Sequence, residues 1–112
     1  MVRLTKTNNM EINKQEVFEK LELNGLCAYC GQRISLENMQ VDYMIPNIES
    51  FDNLMPCCIT CKDYKGNDDI EEFRKKLKNM HKQIIEYNQG IAMNYGIIKV
   101  LPYHGKFLFE RY

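Results

Sequence analysis

Two Cys-x-x-Cys pairs, Cys27/Cys30 and Cys58/Cys61, are the residues of this chain best suited to chemistry, and 27 residues separate them. Thiolates delivered as two short knuckles suit a thiophilic, tetrahedral cation, and four of them close its coordination sphere, the arrangement of a structural Zn²⁺ site. Such a site adds metal-binding free energy to folding, which a chain of 112 residues can use. As small buried hydrophobes the four cysteines would need no pairing and no Gly31 or Gly66 beside them. The fifth, Cys57, reads as a free, partly buried thiol, although it could replace Cys58 as a ligand.

The segments around the pairs must hold them in place. Asn13 and Glu16 have capping-box spacing, and Val17, Phe18 and Leu21 mark one helical face that Asn24-Gly25 ends. Residues 26–34 form the first knuckle, with Gly31 allowing the tight turn after Cys30. Ser35 to Asn38 reads as a turn, and Met39 to Ile45 as a strand in a β-hairpin with the segment before it. Residues 53–66 carry the second knuckle and a short helix entered near Pro56. A longer helix follows Asn67-Asp68-Asp69, with Ile70, Phe73, Leu77, Met80 and Ile84 as its apolar stripe and Gly90 as its stop. Residues 97–102 and 106–112 read as a C-terminal β-hairpin around Tyr103-His104-Gly105. The expected fold is α+β in a single domain, residues 1–112. Its zinc-binding core covers 26–66, and 67–112 supply a helix plus the hairpin.

Taken together, CAYCG (27–31), VDYMIP (41–46), Asn53-Leu54 and CITCKDYKG (58–66) resemble the zinc-bearing branch of the HNH endonuclease family. The order, the spacing and the flanking Pro and Gly agree, and the resemblance does not extend into residues 67–112. The resemblance implies a ββα unit with a catalytic divalent cation apart from the zinc. Asp42 takes the place of a ligand to that cation, and Asn53 that of the residue orienting the adjacent loop. Tyr43 stands where the family has its general-base histidine, and Lys62 where it has a final Asn or His ligand.

Both departures act against catalysis. A phenol with pKa of about 10 is a poor proton acceptor at neutral pH, and losing a general base costs roughly 10²–10⁴-fold. An ammonium at position 62 cannot ligate Mg²⁺, would repel it near Asp42, and could pair with Asp42 instead. The chain therefore reads as a non-enzyme: metal ligands Cys27, Cys30, Cys58 and Cys61, no catalytic and no cofactor-binding residues, Zn²⁺ its cofactor. A hydrogen-bonding role for Asp42 outweighs a second metal there.

Lys plus Arg and Asp plus Glu number 15 each, so there is no overall basic excess to drive nucleic-acid binding. The basic residues from Arg74 to Lys82 read first as a solvated helix face, His81 as a surface residue and His104 as a turn residue. Tyr87, Tyr95, Tyr103, Phe107, Phe109 and Tyr112 read as core, or else as a partner surface. Five cysteines with metal-ligand spacing, no long apolar run and no apolar leader in the first residues lead to an expected cytoplasmic location, in a host cell if phage-encoded. In size, charge and AT-rich codon-type composition the chain resembles phage inhibitors of host defence, including anti-CRISPR proteins. That implies a protein partner such as a nucleic-acid-processing, RNA-guided effector nuclease, with divergent nuclease activity or direct DNA binding as the alternatives.

Overall fold

Side-chain capping starts the first helix of the described residues where the sequence places it: Asn13 Oδ1 accepts from the Glu16 amide at 3.2 Å, opening α1 (Lys14–Phe18). A 3₁₀ turn, Lys20–Glu22, continues it, and the chain turns away through Asn24 and Gly25, both at positive φ. Val17 is fully buried, and Lys20 Nζ reaches the carbonyls of Phe51 and Leu54 at 2.5 and 2.6 Å. The computed structural model describes residues 11–88 and 90–111; residues 1–10, Gln89, Tyr112 and the side chains of Leu21, Tyr87 and Asn88 lie outside what is described. The described residues contain both helices and a small sheet, an α+β content.

Two strands carry the centre of the fold. β1 (Gln40–Tyr43) pairs antiparallel with β2 (Leu54–Cys57), with Asp42 opposite Met55 and Tyr43 opposite Leu54. The expected pairing of β1 with the segment before it is thus corrected. Residues 26–34 make only an isolated bridge, Leu26 with Arg33, inside the first knuckle. That knuckle docks on β2 instead, the Ala28 amide donating to Pro56 O at 2.8 Å. Every residue of β2 is buried, so it has no alternating pattern to announce it as a strand. Helix α2 (Ile59–Lys65) follows at once, Cys58 being its N-cap and Gly66, at φ 58° and ψ −130°, its C-cap.

The chain forms two compact units, one running up to Asp69 and resuming at Phe107, the other Ile70–Lys106. In the second, α3 (Ile70–Asn88) ends two residues before Gly90, close to the expected stop, and Gly90 itself begins the short α4 (Gly90–Asn94). Residues 98–106 have no regular structure and return along α3, Arg74 Nη1 donating to Gly105 O and His81 Nε2 lying 2.7 Å from Leu101 O. The expected C-terminal hairpin does not form among the described residues. Leu108–Arg111 is a 3₁₀ helix, and the amides of Leu108 and Phe109 donate to the carbonyls of Tyr29 and Ala28 at 3.1 and 2.8 Å. Phe107 is buried with its ring edge-on to Tyr29, so knuckle carbonyls took the donors that a second strand would have used. No helix among the described residues is long and apolar enough to cross a membrane.

Candidate metal centre

The two knuckles meet because β2 carries the second one past the first. The Sγ atoms of Cys27, Cys30, Cys58 and Cys61 all lie within 4.8 Å of one another, close enough to hold a metal ion. Cys30 and Cys58 sulfurs are 3.8 Å apart, which is the edge of a tetrahedron whose centre lies ~2.3 Å from each sulfur, the Zn–S length. Backbone amides point at the cluster: Tyr29 N and Cys30 N reach Cys27 Sγ at 3.4 and 3.5 Å, and Cys61 N reaches Cys58 Sγ at 3.4 Å. Such bonds favour thiolate over thiol.

Without a cation the four sulfurs cannot all ionise. Hydrogen bonds from Cys30 and Cys61 hold Cys27 below the ordinary thiol value, while sharing with Cys27 pushes Cys30 up to about 11 and Cys61 higher still. A bound divalent ion relieves that conflict by stabilising every thiolate together. Cys58, not Cys57, joins the cluster; Cys57 is fully buried, and burial above all pushes its thiol upward.

A second centre adjoins the first through Tyr29, which lies between the two cysteines of the first knuckle. Its hydroxyl donates to Asp42 Oδ2 at 2.6 Å, and burial, then the Asp42 charge, raise its pKa far above the phenol range. The same Asp42 oxygen meets Lys65 Nζ at 3.0 Å, and Oδ1 faces Lys62 Nζ at 3.6 Å. Lys65 is 1% exposed, and its ammonium also donates to Tyr43 O at 2.8 Å and Asp68 O at 2.7 Å. Three acceptors therefore meet its three protons. Lys62 donates to Val41 O at 3.1 Å and stays partly exposed.

The sequence anticipates the Lys62–Asp42 pair; it does not anticipate Lys65, the nearer and deeper partner. The available signal was the i, i+3 spacing of Lys62 and Lys65, which puts both on one face of α2. Tyr43 points its hydroxyl at Glu49, a bond that, with slight burial, raises its pKa and moves it further from acting as a base. Tyr43, Glu49, Lys62 and Asp42 border an open cleft of about 340 Å³.

Asn53 holds the loop that follows Tyr43. Its Oδ1 accepts from Ile45 N at 3.0 Å, and its Nδ2 donates to Ile45 O and Ile48 O at 2.8 and 3.0 Å. Asn53 is 6% exposed, and replacing it with Ala leaves Ile45 N, Ile45 O and Ile48 O without these partners. Asn53→Ala is therefore expected to lose about 1–3 kcal/mol in urea unfolding of the metal-loaded protein. His104 makes a local bond, its Nδ1 accepting from Lys106 N at 3.0 Å, whereas the partner of His81, Leu101 O, is twenty residues on. No family model, curated protein or solved structure matches the chain.

Proposed function

We propose that the chain is a non-catalytic, zinc-stapled recognition module built on a degenerate HNH-like ββα unit. The observation that carries this reading is the ion pair at Asp42. Where the resemblance places a ligand for a catalytic cation, a buried ammonium and a second, half-buried one sit against the carboxylate. A divalent ion there would have to displace Lys65 from three acceptors and then sit beside two positive charges. The order β1, β2, α2, the place of Asp42 on β1 and the hold of Asn53 on the next loop support the family relationship.

A fold kept without its hydrolytic parts is useful as a surface. The proposed partner is a protein of nucleic-acid processing, an RNA-guided effector nuclease being the candidate, with the chain acting as its inhibitor in the manner of phage anti-CRISPR proteins. The zinc-loaded protein is expected to leave supercoiled plasmid intact in 10-fold steps of Mg²⁺ or Mn²⁺ and to reduce DNA cleavage by its effector. Metal-dependent nicking that Asp42→Ala abolishes would overturn the non-catalytic reading. Absence of any stable complex with such effectors, with their cleavage unchanged, would remove the inhibitor.

A further inference from the structure

The zero net charge of the whole chain hides a separation. Between Ile70 and Lys106 there are seven Lys and Arg against three Asp and Glu, so this unit is basic and the remainder equally acidic. The basic side chains are not spread evenly. Lys75, Lys76, Lys78 and Lys82, with Asn79, line one shallow groove of about 480 Å³ on α3.

Helical spacing puts Lys75, Lys78 and Lys82 on the side opposite the apolar stripe of Phe73, Leu77 and Ile84. Arg74 is not part of this face, since its guanidinium is held by Glu71 and Gly105 O. Lys75 and Lys78 have no ion pair among the described residues, and Lys82 has only Glu86 at 3.9 Å with both side chains well exposed.

We propose that Lys75, Lys78 and Lys82 form a seat for the phosphate backbone of a nucleic acid, bound without base reading. From Lys75 to Lys82 the helix rises about 10 Å, which covers roughly three phosphates of one strand. The face offers ammonium point charges and no guanidinium fork, chemistry that neutralises a repeating phosphate charge but reads no base edge. The proposal concerns a different unit from the Asp42 ion pair and stands or falls separately from the non-catalytic reading.

The test is fluorescence anisotropy of the zinc-loaded full chain with a labelled 20-mer DNA duplex and a labelled single-stranded RNA of unrelated sequence, in stepped KCl. About three neutralised phosphates give a log–log slope near −3 on duplex, or roughly a 40-fold loss of affinity from 50 to 200 mM salt. K75E/K78E/K82E should weaken binding more than 100-fold and flatten the slope, with zinc content and helical circular dichroism unchanged. K14E/R33E, a charge reversal outside the unit, should change affinity less than threefold. Binding to either nucleic acid with that slope supports the proposal, and the stronger arm names the source of the phosphate. It is overturned by no binding at 50 mM salt, or by a slope that survives the triple variant. Equal displacement by polyglutamate, or equal binding to phosphatidylserine vesicles, would also overturn it, assigning the face to an acidic protein or to a membrane.

Discussion

Cys30→Ala is expected to leave the purified chain without bound zinc and without a folded metal-bearing unit. The wild-type protein should carry one zinc per chain, measured by elemental analysis. Structural zinc sites contribute on the order of 10–16 kcal/mol of apparent binding free energy, as much as the whole stability of an ordinary domain, about 5–15 kcal/mol. Here little else can substitute. The sheet has two strands of four residues each, and the helices beside it, α1 and α2, are five and seven residues long. A chelator should act as a denaturant for the same reason. Cys57→Ala is the control: although fully buried, Cys57 lies outside the four-sulfur cluster, so zinc stoichiometry should be kept. Full folding of Cys30→Ala, with native near-ultraviolet circular dichroism and no metal, would refute the zinc staple.

The second large effect lies at Asp42. Asp42→Ala leaves Lys65 buried with two carbonyls but no counter-charge, and breaking a buried pair from one side costs about 3–5 kcal/mol. Lys65→Met should cost less, because Asp42 keeps the Tyr29 hydroxyl and the Lys62 ammonium. The double variant Asp42→Ala/Lys65→Met should be no less stable than Asp42→Ala alone, since it removes the orphaned charge together with its partner. Urea unfolding of the three zinc-loaded variants closes the cycle. Losses that simply add would show that the two residues do not act as a pair.

Much of the metal centre was readable in the residues themselves. Cysteine spacing identifies the four sulfurs that cluster, Asn13 marks the start of α1, and residue type and position point to Asp42, Asn53 and Lys62. What escaped notice did so for physical reasons. β2 is buried on both faces and includes Pro56, so it shows neither alternation nor a strand composition. Lysine is ordinarily solvated, and only the three acceptors converging on Lys65 explain its burial. The β-branched Ile97, Ile98 and Val100 favour a strand, but its expected partner residues bond to Ala28 and Tyr29, far away in sequence. Local propensity carries no information about such a distant acceptor.

The bonds from Leu108 and Phe109 to the first knuckle impose an order of events during synthesis. All four cysteines precede residue 107 in the chain, so the sulfurs are in place before the segment that bonds to the first knuckle is made. The first knuckle lacks these two donors until the intervening helical detour, Ile70–Lys106, has been made. Completion is thus a late, long-range closure, whose entropic cost grows only slowly with the length of the detour. That arrangement allows residues 70–106 to be lengthened or exchanged with little entropic penalty to the unit that holds the four cysteines.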